Sequence, residues 1–148
     1  MEKKKHTLYY EAIIQLRNPN EDILSFVRKE LKSKGVSIAK EKKLKNGIDL
    51  YVASQRFARR LGVALQQRFT GVLLTSRKLH TVSKKTGKRL YRVTVMFRYV
   101  PIKPGSRIEY KGTKLVVLQV QKNTLLAKES SGKKHRIRIK DLVARGRF

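Results

Sequence analysis

The 148-residue chain contains no cysteine. That excludes disulfides, cysteine-ligated zinc ribbons and thiol catalysis together, and leaves the redox compartment unmarked. Acidic residues are scarce: 10 Asp and Glu stand against 37 Lys and Arg, a formal net charge of +27 at pH 7. Apolar runs extend for only a few residues, so neither a signal peptide nor a membrane-spanning helix is expected. No Gly-rich phosphate loop follows a predicted strand. His6, His80 and His135 lie far apart without a carboxylate cluster, so no metal site is expected. Asp49 has no acidic neighbour with which to form an acid/base couple. Neither an enzyme, nor a cofactor, nor a small-molecule substrate is therefore expected. What the absences leave is a soluble, intracellular, strongly basic protein, in a composition (little Met, much Lys) that suits a thermophile.

Apolar residues make up 40% of the chain and recur periodically, so this is a folded body and not a disordered basic tail. The length allows one medium domain or two small ones. Self-repulsion at +27 destabilises a compact state and invites a polyanion, whose binding then stabilises the fold. The location of the charge is more informative than its size. No Asp or Glu occurs between Asp49 and Glu109, and that 59-residue stretch carries 14 Lys or Arg, from Arg56 to Arg107. A solvated surface ordinarily mixes signs. A stretch purged of acid is what a phosphate-facing surface needs, since each carboxylate there would repel the backbone. Nucleic acid is the favoured partner, ahead of a membrane surface or an acidic protein.

Residues 1–7 read as a basic leader, residues 8–100 as an α+β RNA-binding domain, residues 101–143 as a small β-barrel and residues 144–148 as a basic tail. Leu8–Leu16 is a predicted strand. Asn18-Pro19-Asn20-Glu21 reads as a helix start with Asn18 as cap and Pro19 at the first helical position. Ile23, Leu24, Val27 and Leu31 form its apolar stripe, and Gly35 its stop. Val36–Lys42 and Ile48–Val52 are predicted strands joined by a turn containing Asn46-Gly47. Ser54 caps a second helix with the stripe Phe57, Leu61, Leu65 and Phe69. Val72–Thr81 and Leu90–Val100 then form a hairpin with the tip Lys84-Lys85-Thr86-Gly87-Lys88-Arg89. The order βαββαββ predicts helices on one face of an antiparallel sheet. After Pro101–Gly105, short strands at Arg107–Tyr110, Leu115–Gln121, Thr124–Glu129 and His135–Ile139 predict an SH3-like or OB-like barrel.

Three clusters are candidate RNA contacts. Arg56, Arg59 and Arg60 flank the second helix, where planar guanidinium forks bind phosphate in two places and stack on bases; a merely solvated basic face is the plainer reading. Arg77, Lys78, Lys84, Lys85, Lys88 and Arg89 make the hairpin a basic ribbon able to enter a groove, against the plainer reading of an exposed turn. His80 within it is a base-stacking candidate or an ordinary polar surface residue. Lys133, Lys134, Arg136, Arg138 and Lys140 surround Ile137 and Ile139, so that charges take one face of a strand and isoleucines the core. The strand tyrosines Tyr9, Tyr10, Tyr51, Tyr91 and Tyr99 read as core or rim.

The segments YYEAIIQLR (Tyr9–Arg17), GIDLYVAS (Gly47–Ser54), SRKLHTVSKKTGKRLYRVTV (Ser76–Val95) and KPGSRIEYKG (Lys103–Gly112) resemble archaeal members of the large-subunit export-adaptor family, named for nonsense-mediated decay. The basic hairpin is the most specific part of a resemblance that covers nearly the whole chain. It implies the arrangement of the family's region similar to translation factor 5A, with large-subunit ribosomal RNA and neighbouring ribosomal proteins as partners, in the ribosome-associated cytoplasm. Family members begin with paired Cys-x-x-Cys zinc ribbons, which this sequence lacks. The resemblance therefore implies a resident structural component of the archaeal large subunit. A transient assembly, quality-control or anti-association factor is the alternative, as is an RNA- or DNA-binding protein outside the ribosome.

Overall fold

A computed structural model describes residues 9–147, and the side chains of residues 9–143; the expected basic leader lies outside them. The chain forms two compact units. One runs to Leu65 and includes Leu73–Arg98; the other comprises Gln66–Val72 and the chain from Tyr99 onward.

The first unit is built on a five-stranded sheet of order β2-β3-β1-β5-β4. Its strands are β1 (Ala12–Arg17), β2 (Ile38–Leu44), β3 (Gly47–Val52), β4 (Gly71–Val82) and β5 (Arg89–Tyr99), with helices α1 (Glu21–Ser33) and α2 (Gln55–Arg68). The period-two pattern of the sequence fixes the core. Across the three central strands the register aligns Val52, Ala12 and Val93, then Leu50, Ile14 and Val95, then Ile48, Leu16 and Phe97. All nine side chains are buried, so a slip of one residue in any of the three strands would turn its apolar set to solvent. Ile23, Val27 and Leu31 of α1 and Phe57, Ala58, Leu61 and Leu65 of α2 are buried stripes at helical spacing. At Gly62 the helix passes so close to the sheet that a Cβ would lie 2.7 Å from Val95 Cγ1.

The expectation of an antiparallel sheet is corrected at one ladder: β1 pairs with β3 antiparallel but with β5 parallel. The reason is the hairpin. Strand β4, which follows α2, takes the sheet edge, and its partner β5 turns back inward beside β1 in the same direction.

Local chemistry corrects two further expectations. The cap of α1 is Asn20, whose side chain accepts from Ile23 N–H at 2.8 Å, and not Asn18. Asn18 instead takes a left-handed conformation at φ 52, a bend that asparagine tolerates. The α1 stop is as expected: Gly35 at φ 64 follows the cap residue Lys34, with Val36 N–H donating to Leu31 O and Gly35 N–H to Lys32 O. The β2–β3 turn is Lys45-Asn46, since Leu44 pairs with Gly47. Gly47 is already in the strand, where a Cβ would stand 1.9 Å from the Leu16 carbonyl oxygen. Its glycine serves close backbone approach and not the turn. Asp49, buried on the same strand, is neutralised by Arg17, whose Nη1 lies 2.8 Å from Oδ1, although the angle is not that of a hydrogen bond.

The second unit contains an antiparallel sheet of order β10-β6-β7-β8-β9: β6 (Arg107–Tyr110), β7 (Thr113–Val120), β8 (Thr124–Lys128), β9 (Lys134–Arg138) and β10 (Gly146–Arg147). Lys111-Gly112 forms a two-residue turn with φ 51 and 79, the type I′ pattern suited to twisted strands. Four strands meander, a short helix α3 (Ile139–Arg145) follows, and β10 returns to pair with β6. A meander with a returning fifth strand is an SH3-like order and not the Greek key of an OB-fold. Among the described residues no β9–β10 pairing closes it into a barrel. Ile108, Leu115, Val117, Leu125, Ile137 and Leu142 belong to its buried core. Residues expected as a basic tail thus include the end of α3 and all of β10. A seven-residue helix and a two-residue strand are too short to show a period in the sequence.

Candidate nucleic-acid interface

The site is built where α2 begins. Ser54 Oγ accepts from Phe57 N–H at 3.0 Å and caps the helix as expected. The first turn of α2 holds no acidic side chain, so its positive N-terminal field is left uncompensated. One residue after the cap, Gln55 donates from its amide to the Tyr91 carbonyl at 2.6 Å, fastening the helix start to the turn-proximal part of β5. One turn on, Arg59 is exposed on the same side of the helix.

Helix, hairpin and the entry to β1 enclose an open cleft of about 580 Å³, lined by Arg59 from α2, Arg77 and His80 from β4, and Arg89 from β5. Tyrosines support the arginines. The Arg77 guanidinium lies 4.4 Å from the centre of the Tyr91 ring. Arg92 lies 3.9 Å from the Tyr10 ring centre and donates to the Tyr10 hydroxyl at 3.1 Å. Tyr10 packs edge-on against Tyr51 at 5.0 Å. Such stacks fix long side chains before a ligand arrives, reducing the entropy lost on binding. Arg92 Nε is buried without an acceptor, an arrangement that costs about 1–3 kcal/mol.

Among the described residues one carboxylate lines the cleft, that of Glu11. Its backbone is clamped between strands: Glu11 N–H donates to Val52 O at 2.9 Å and Val93 N–H to Glu11 O at 3.1 Å. The Tyr9 hydroxyl donates to Glu11 Oε2, and that bond raises the phenol's pKa above its ordinary value, with burial and the carboxylate's charge acting in the same direction.

The structure brings four of the sequence-predicted residues together: Arg59, Arg77, His80 and Arg89. Arg56 and Arg60 line a different hollow, beside Glu30 and Lys34 at α1, so the three helix arginines do not serve one concavity. Lys78 is exposed on β4, and Lys84, Lys85 and Lys88 are exposed in the hairpin turn. There Ser83 N–H donates to Lys88 O at 2.8 Å and Gly87 adopts φ 73. Between these cations the ribbon leaves Leu79, Val82 and Leu90 nearly half exposed. Lys133, Lys134, Arg136 and Arg138 lie in the second unit. Lys134, Arg136 and Arg138 are exposed on β9 while Ile137 is buried, as the alternation predicts. Strand β9 is a sheet edge, where charge also serves to prevent edge-to-edge association. Arg138 pairs with Asp141 at 2.9 Å.

Sequence reasoning missed the cleft residues Glu11, Gln55 and Arg92, and placed Tyr9, Tyr10 and Tyr91 with the core or rim. Their signal was available in one respect: an aromatic residue stands between two arginines at Arg89-Leu90-Tyr91-Arg92. The convergence was not, because Tyr10 and Arg92 are 82 residues apart.

Among the described residues, no group of three His, Cys, Asp or Glu could hold a metal ion, and no helix is long and apolar enough to cross a membrane. A search of curated proteins finds no match. A family model described as "NMD3, second domain" matches residues 9–98, more than half of the chain and all but the last residue of the sheet that carries the cleft.

Proposed function

Since the chain belongs to the NMD3 family of large-subunit export adaptors, we propose that it binds ribosomal RNA as a component of the large ribosomal subunit. The observation that carries this reading is the placement of the acid-free stretch: its arginines converge on a preordered cleft beside the turn-proximal half of an exposed basic hairpin. Phosphate neutralisation supplies affinity, and the protruding ribbon supplies shape recognition, which is how structured RNA is read. The basic face of β9 offers a second set of phosphate contacts.

The family's description as an export adaptor favours a second reading, in which the same surface binds the large subunit transiently during assembly or quality control. Gradient sedimentation of native ribosomes with quantitative mass spectrometry separates the two. A resident protein is expected at about one copy per large subunit in translating particles, whereas presence only on free or immature subunits establishes the transient role. Absence from ribosomal fractions at low salt overturns both.

A further inference from the structure

We propose that the cleft between α2 and the turn-proximal half of the β4–β5 hairpin receives a single unstacked nucleotide whose base bears an amino group, cytosine above uracil. This rests on the RNA-binding reading and names the ligand of that site.

A surface that only neutralises phosphates needs dispersed cations and neither concavity nor rings. This cleft has both. Its volume of about 580 Å³ lies within the ~300–1,000 Å³ of pockets that enclose one small ligand. A duplex lying across its mouth would present only its backbone. A base turned out of its stack fits the interior, and single-stranded and bulged RNA supplies such bases.

The walls match a nucleotide group by group. The Arg77 guanidinium lies over the Tyr91 ring and that of Arg92 over the Tyr10 ring, and guanidinium and aromatic planes are the surfaces on which bases stack. Arg59 and Arg89, both exposed at the same cleft, supply charge-assisted hydrogen bonds for the attached phosphate. The buried, unsatisfied Nε of Arg92 has a cost that folding alone does not explain.

Glu11 decides which base. A carboxylate in a phosphate-binding cleft opposes the phosphate, so its presence needs a partner that donates hydrogen bonds. Tyr9 supplies one such bond to Oε2, and a carboxylate accepts several. An exocyclic amine is the donor that cytosine offers where uracil has none, and acceptance by Glu or Asp from cytosine N4 is an established pairing. Uracil presents a carbonyl oxygen at that position, which the carboxylate repels.

The test uses the full chain and measures fluorescence anisotropy with oligocytidylate and oligouridylate of equal length, equal in charge and backbone. Oligocytidylate is expected to bind about five- to tenfold more tightly. Glu11→Gln should erase the preference, because the amide both donates and accepts. Tyr91→Leu should lower affinity for both oligomers by about fivefold or more while leaving a blunt RNA duplex unaffected. Equal binding of the two oligomers by the unaltered protein, or a preference that survives Glu11→Gln in a folded variant, overturns the proposal. If ribosomal RNA fragments bind and the oligomers are not discriminated, this inference alone fails. If no RNA binds at low salt, the RNA-binding reading falls with it.

Discussion

The first sheet has two edges, and they treat positive charge in opposite ways. At the β2 edge, Lys40, Lys42 and Lys43 surround Glu41, which takes two hydrogen bonds from Arg28 of α1, one of them at 2.9 Å. Lys40 sits 5.2 Å from the Tyr51 ring centre. Charge there is mixed in sign and partly satisfied within the fold. At the β4 edge the chain supplies no carboxylate for 59 residues. Among the described residues the ion pairs are Arg17–Asp49, Arg28–Glu41, His135–Glu129 and Arg138–Asp141, and none involves a hairpin cation. Arginines of this edge rest on rings instead, which hold a guanidinium in place without cancelling its charge. The lesson is that total charge says little about where a polyanion binds. The informative quantity is charge that is positioned but not neutralised.

The largest expected effect tests the unneutralised edge directly. If about six phosphates are engaged, affinity for ribosomal RNA should fall roughly a thousandfold between 50 and 200 mM salt; a flat titration would break the contrast. Next, replacing Lys84, Lys85, Lys88 and Arg89 together by Ser should reduce the slope of that titration by about one for each phosphate that these side chains neutralise. The melting temperature should not change, because all four side chains are exposed in or beside the turn. A drop in melting temperature would show that the tip supports the fold. The quiet side of the sheet is sharpened by Gly47→Ala, whose methyl must displace the Leu16 carbonyl. A loss of about 1–3 kcal/mol in denaturant unfolding is expected, with the salt slope of RNA binding unchanged.

The smallest effect belongs to the β2 edge. Arg28 holds the Glu41 carboxyl below its ordinary pKa of 4.5, chiefly through the hydrogen bond and then through charge, against the opposing effect of burial. A carboxylate whose pKa is depressed in the fold adds stability that is present above its unfolded value and is lost as pH falls through the folded one. Glu41→Gln should therefore lower stability by about 0.2–1 kcal/mol at neutral pH, since the pair is largely solvated. The difference from the unaltered protein should vanish on acidification below pH 4.5. Chemical denaturation at a series of pH values measures it, and a difference that persists in acid would assign the loss to packing.

Much of this was legible in the sequence because it is written in short periods. Alternation placed Ile137 in a core, spacing by three and four placed Val27 and Leu65, and a serine before an apolar helix placed the cap at Ser54. Failures arose where two segments compete for one signal. Asn18 and Asn20 are both plausible caps, and only the left-handed turn at Asn18 decides between them. Asn46-Gly47 has the composition of a turn, yet Gly47 answers to the carbonyl of another strand. The candidate site was readable as charge and unreadable as a cleft. Arg77 and Arg89 could be named from the hairpin, but Glu11 and Tyr10 reach it only through a parallel pairing that no local pattern encodes.

That pairing has a consequence in time. Strands β1 and β5 are joined side by side only after everything between them has been synthesised, and pairings of such long sequence separation slow folding because loop closure must come first. The β2–β3 turn can form early, while the Tyr10–Arg92 stack waits for the end of the first unit. A growing or misfolded chain therefore carries its lysines and arginines without the geometry that arranges them. The cleft is therefore completed only when β5, the last strand of the first unit, is in place beside β1.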